Sequence, residues 1–122
     1  MPIESYQDLI VWQKAMDLAE QCYLATRPFP KEELFGMTSQ IRRAATSIPA
    51  NIAEGWGRGT TGEYVQFLRI AQGSTKELET HLMLCQRVGL LSADKTRPLM
   101  ALLAEISRMT ISLIGSLRRR QK

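Results

Sequence analysis

The chain has 122 residues and a mass of 13.8 kDa, the size of one domain, which excludes a catalytic domain joined to a separate binding domain. Apolar residues at 44% and charged residues at 23% match globular averages and exclude a disordered acidic tail, a collagen-like repeat and a low-complexity segment. The net charge of +4 comes from 16 basic and 12 acidic residues, so a polyanionic partner is permitted but not required.

The opening Met1-Pro2-Ile3-Glu4-Ser5 lacks the basic start and apolar run of a signal peptide, so a cytoplasmic location is expected. Leu9, Trp12, Met16, Ala19, Tyr23 and Thr26 then recur at alternating spacings of three and four, one stripe along a first helix. Arg27-Pro28-Phe29-Pro30 ends it, because each proline removes a donor and disfavours helix in the residue before it. A second helix is expected to begin near Lys31 or Glu32, with Met37, Ile41, Ala45, Ile48, Ile52 and Trp56 as its stripe. Pro49 lies inside that stripe and predicts a kink. The glycines of Gly55-Trp56-Gly57-Arg58-Gly59 end the helix.

Thr60 or Thr61 caps a third helix, with Glu63 in its first turn. Its stripe of Tyr64, Leu68, Ala71, Thr75, Leu78, Leu82 and Cys85 has a 3.5-residue period, which implies left-handed, nearly aligned packing. After Gly89-Leu90-Leu91, Ser92 or Asp94 caps a fourth helix carrying Leu99, Leu102, Ile106, Met109, Leu113 and Leu117. No strand candidate remains. The expected architecture is all-α, a left-handed up-and-down four-helix bundle in one domain over residues 1–122, with helix 2 kinked at Pro49. Ile10, Val11 and Leu18 on the first helix and Ile111 and Ile114 on the fourth fall outside the stripes. A second buried face follows, and in a chain this small it points to self-association. Gly73-Ser74, in the middle of the third helix, would allow close helix approach. The uncharged run Met109 to Leu117 is far short of a membrane span, so no membrane partner is expected.

Enzymatic chemistry lacks its residues. Cys22 and Cys85 are too few and too distant for a disulfide framework or a zinc cluster. A di-metal bundle site needs Glu-x-x-His pairs, whereas His81, the single histidine, has only Glu77 and Glu79 near it and reads as a surface side chain paired loosely with Glu77. Gly57 to Gly62 has P-loop spacing, but Glu63 stands where the lysine should follow and a helix precedes the loop. A weaker anion site at the start of the third helix, beside Arg58, remains open. No catalytic residue, metal or cofactor is expected.

Gln40, Arg43, Ser47, Asn51, Glu54 and Arg58 line a polar strip beside the apolar stripe of the second helix. Ser47 and Asn51 are short and flank Pro49, so they are expected to satisfy the kink and tie the helix to its neighbours. For Arg42 and Arg43 two readings stay open: ion pairs with Glu54 or Glu77, or an external anion site.

Gln40-Ile41-Arg42-Arg43-Ala44-Ala45, Ser47-Ile48-Pro49 and Asn51-Ile52-Ala53-Glu54-Gly55 closely resemble the signature of the four-helix-bundle proteins related to those encoded in intervening sequences of bacterial 23S ribosomal RNA genes. The resemblance extends to Leu9 through Ala15, to Phe29-Pro30 with Glu33 and Phe35-Gly36, and to Ile70 through Ser74 with Glu77-Leu78-Glu79; Gly62, Gln72 and Thr75 depart from the pattern. It implies a bundle that assembles into a ring, a homopentamer, with a basic surface for nucleic acid. The fold so implied is also similar to that of the accessory protein of diversity-generating retroelements, a pentameric barrel that works with a reverse transcriptase on RNA. A likeness of fold does not carry function across.

The expected function is therefore a non-enzymatic homo-oligomer that binds RNA or DNA through a basic surface. The candidate binding residues are Arg42, Arg43, Arg58, Arg69, Arg118, Arg119, Arg120 and Lys122. Trp56, beside the glycine loop, is the one aromatic residue outside the core suited to stacking. The alternative is an oligomeric scaffold that binds an acidic protein partner through the same charge.

Overall fold

In the computed structural model, which describes residues 2–120, the chain forms four helices: α1 (Ile10–Thr26), α2 (Met37–Gly57), α3 (Thr61–Arg87) and α4 (Ala93–Arg120). There is no strand among the described residues. Each helix packs on its neighbours in the chain and α4 returns to α1, which is an up-and-down bundle. The α2–α3 seam is the most extensive contact. One core fills the centre, with Leu18, Ile41, Ile48, Ile52, Leu68, Leu78, Leu82, Leu103 and Ile106 fully buried.

Local chemistry sets the helix ends. Ser5 caps a short 3₁₀ turn, Tyr6–Asp8, that precedes α1, and Asp8 answers with bonds from the amides of Glu4 and Ser5. The second helix starts later than expected. Lys31–Glu33 is a separate 3₁₀ turn, and α2 begins at Met37, whose amide donates to Glu33 Oε1 at 3.2 Å. Pro49 lies within one continuous α2, and the kink expected there is not confirmed. Thr60 caps α3 by accepting from the Glu63 amide at 3.2 Å, and Ser92 Oγ accepts from the Lys95 amide at 3.2 Å at the start of α4. Gly89, at φ 85°, turns the chain out of α3 while the Leu90 amide reaches back to the Cys85 carbonyl at 2.9 Å.

The stripe on α3 is buried as expected from Leu68 to Cys85, joined by Val65 and Ser74. On α1 the buried line is Val11, Ala15, Leu18, Cys22 with Ala19 and Thr26, while Met16 and Tyr23 are exposed and Trp12 half-buried. The bulky residues flank the helix contact, and small ones occupy its centre. On α4 the core takes Leu99, Leu103, Ile106, Ser107, Thr110 and Leu117, with Leu102, Met109 and Leu113 half-buried.

Close approach of helices occurs at Gly55, not at Gly73. A Cβ at Gly55 would lie 2.8 Å from Phe67 Cβ, whereas one at Gly73 would meet nothing within 4 Å. The apolar character of α4 also exceeds what the bundle covers. An 18-residue window of α4 reaches a mean hydropathy of 1.4, long and apolar enough to cross a membrane by length and composition alone, and 28% of it is buried. The short charge-free run hides this, because two flanking charges do not offset so many leucines and isoleucines.

Candidate nucleic-acid interface

The arginines expected to act together separate into three groups. Arg42 belongs to the fold. Its Nε donates to Thr26 Oγ1 at 2.9 Å, its Nη2 reaches the Tyr23 carbonyl at 3.5 Å, and its guanidinium lies 4.5 Å from the centre of the Tyr23 ring. It thus supplies donors where the last turn of α1 leaves carbonyls without helical partners. The ion pairs expected with Glu54 or Glu77 are absent among the described residues. Glu54 pairs with Arg58 and Glu77 with His81 at 3.8 Å. Arg43 is exposed and makes no ion pair among the described residues, but it sits about 22 Å from Arg58 along α2 at 1.5 Å per residue.

Arg58 is electrically balanced. Glu54 and Glu63 lie 3.9 and 3.7 Å from its Nε, and the guanidinium covers the Phe67 ring at 5.0 Å. The glycine loop beside it turns through Gly59 at φ 92°. Trp56 is half-buried and meets Tyr64 edge to face at 6.1 Å, so its ring has a partner within the fold. Burial holds the Tyr64 hydroxyl above its ordinary titration range.

Arg69 and Arg118 converge, with Arg119 one residue further along α4. Because α3 and α4 run antiparallel, the first turns of α3 lie beside the last turns of α4, and Arg69 and Arg118 line one groove with Gln72, Ile111, Ile114 and Gly115. The groove has a volume of about 480 Å³ and no acidic residue in its lining. Arg119 folds back along its own helix, with Nη1 3.3 Å from the position a Cβ on Gly115 would take. None of the three arginines makes an ion pair among the described residues. They also sit at the negative end of the α4 dipole, which favours cationic side chains there. Arg120 is exposed at that same end, and Lys122 lies outside the described residues.

The polar strip of α2 is structural where it is covered. Ser47 Oγ hydrogen-bonds Ser74 Oγ across the α2–α3 seam, and Asn51 Nδ2 donates to the Ser47 carbonyl at 2.7 Å. The seam continues to α4 through Gln72 Nε2, which donates to Ser107 Oγ. Gln40 and Glu54 are exposed. The Gln72–Ser107 link escaped the sequence reading because both residues pass for surface polar groups.

The two cysteines lie in the core. Burial pushes the Cys22 thiol up to about 12, and burial, with Glu33 adding to it, pushes Cys85 up to about 11. Both thiols are therefore protonated and inert at neutral pH. Among the described residues no group of three or more His, Cys, Asp or Glu is placed to hold a metal ion.

Comparison with known proteins adds two findings. Residues 7–112 match the profile of the family described as 23S rRNA-intervening sequence protein. A crystal structure of a protein with unknown function from the S23 ribosomal protein family of Bacteroides thetaiotaomicron superposes with a TM-score of 0.78 at 27% identity, over 86% of this chain and 98% of that one. No curated protein matches the chain.

Proposed function

The chain belongs to the 23S rRNA-intervening sequence protein family, and from that premise we propose that it is a non-enzymatic homo-oligomer, a pentamer, that binds the backbone of RNA or DNA in the cytoplasm. The observation that carries the binding is the convergence of Arg69 and Arg118 on one groove whose lining holds no acid, with the Arg119 guanidinium beside its Gly115. Phosphates that meet such side chains release condensed counterions, and the gain does not depend on base sequence. Repetition multiplies it: five copies would carry about +20 and engage one backbone at several points. Assembly is supported by a separate groove of about 940 Å³ between α1 and α4, floored by Leu9, Ile10, Met109 and Leu113.

One feature favours the scaffold reading. Phe35, in the turn before α2, is 93% exposed beside the exposed Leu34, an apolar tip suited to a protein contact. Two measurements on the purified protein decide. Light scattering should give a pentamer's mass, and a 13.8 kDa monomer at micromolar concentration would overturn assembly. A gel shift with RNA and DNA should show binding at low salt that weakens steeply as salt rises. No shift with either, even at low salt, would leave the scaffold reading in possession.

A further inference from the structure

The geometry points to a more specific ligand for the α3–α4 groove: one unpaired nucleotide of a single strand, its base lying on Ile111 and Ile114 and its phosphate between Arg69 and Arg118. This rests on the nucleic-acid reading and adds that the groove takes a base, not backbone charge alone.

The floor between the arginines is aliphatic. Ile111 is 57% exposed, Ile114 is half-buried, and Gly115 contributes no side chain. An occupant that satisfies the whole groove must combine negative charge with a flat apolar face a few ångströms away. A nucleotide has that combination. A duplex does not offer it, because its bases are stacked inside and only sugar and phosphate reach a narrow groove, whereas single strands splay their bases outward. The volume of about 480 Å³ is in the range of small-ligand sites.

The same floor explains why base identity should matter little. Gln72 is the polar residue there, but its Nε2 is committed to Ser107 Oγ and its Oε1 is buried, with no partner of its own. With Gln72 tied to Ser107 and the two arginines engaged by phosphate, the part of the floor under the base is aliphatic, so any base face suffices. Covering roughly 50 Å² of aliphatic floor with one base corresponds to about a tenfold gain in affinity.

Fluorescence anisotropy with three labelled RNAs at fixed salt tests this: a short single strand of mixed sequence, the same sequence as a duplex, and an abasic strand of equal phosphate count. Single-stranded RNA should bind about tenfold more tightly than the abasic strand or the duplex. Ile111→Ser and Ile111→Asn, both at an exposed position, should each reduce single-strand binding to the abasic level and leave abasic binding unchanged. Circular dichroism on both variants checks that the helices persist. Equal affinity for the abasic and base-bearing strands, or wild-type single-strand affinity in both variants, would overturn the nucleotide subsite while leaving backbone binding intact. Failure of all three RNAs and of the matching single-stranded DNA to bind at low salt would overturn the nucleic-acid reading itself. Binding of polyglutamate with the same dependence on Ile111 would assign the groove to an acidic protein instead.

Discussion

The two sides of α3 are built differently. Toward α2 the contact is close and mostly paired: Gly55 meets Phe67, Ser47 meets Ser74, and Arg58 meets two carboxylates and an aromatic ring, with the buried Tyr64 hydroxyl the one group among these left without a hydrogen-bond partner within the described residues. Toward α4, at the end where α3 begins, Arg69 and Arg118 face each other over uncovered isoleucines. The same helix thus carries a completed contact and an open one. Stability should reside on the first and binding on the second, which makes the contrast breakable by substitution.

The largest effect should come from Gly55→Val. Its Cβ would start 2.8 Å from Phe67 Cβ, so the seam must open, at a cost of about 3 kcal/mol in urea denaturation. Ile111→Ala, on the open side, should cost less than about 0.5 kcal/mol in the same measurement. A comparable loss at both positions would erase the distinction.

Asn51→Leu should cost about 1–2 kcal/mol, since it strips the Ser47 carbonyl of a 2.7 Å side-chain bond in a half-buried setting. A neutral result would remove Asn51 from the structural seam. Gly73→Ala should raise monomer stability by up to about 1 kcal/mol, because the glycine is helical and its Cβ has open space. If that outer face of α3 packs between copies, Gly73→Leu will lower the assembled mass in light scattering without unfolding the protomer.

The smallest effect near neutral pH is the linkage of the thiols. Both are held above the ordinary thiol value near 9, so the unfolded chain loses these protons first and the folded state is favoured only while they stay bound. Stability should be flat through neutrality and decline from about pH 9 toward pH 12. In native protein at pH 8 both cysteines should resist iodoacetamide, and rapid labelling would contradict their burial.

The fold was legible where hydrophobic periodicity and burial coincide. On α3 the 3.5-residue repeat picked out Leu68, Ala71, Leu78 and Leu82, all buried. On α1 it misled, because Trp12, Met16 and Tyr23 dominate any apolar stripe, while the closest packing goes to Ala15 and Cys22. Size and burial part company wherever helices approach closely. The same cause moved the close approach from Gly73 to Gly55, since a sequence shows where a glycine stands but not what faces it. The candidate site was legible as a list of arginines but not as a grouping. Spacing along α2 could not show that Arg42 caps α1, and only the antiparallel return of α4 brings Arg118 to Arg69.

The most direct test is the salt dependence of single-stranded RNA binding in a matched pair of variants. Replacing Arg69, Arg118 and Arg119 by glutamine together should lower the slope of log affinity against log salt by about 1.4 per protomer engaged, at roughly 0.7 for each of two phosphates, one shared by Arg69 and Arg118 and one at Arg119, while Arg43→Gln, on the far part of α2, should leave it unchanged. An unaltered slope in the triple variant, or a loss confined to Arg43→Gln, would contradict the assignment of binding to the α3–α4 end.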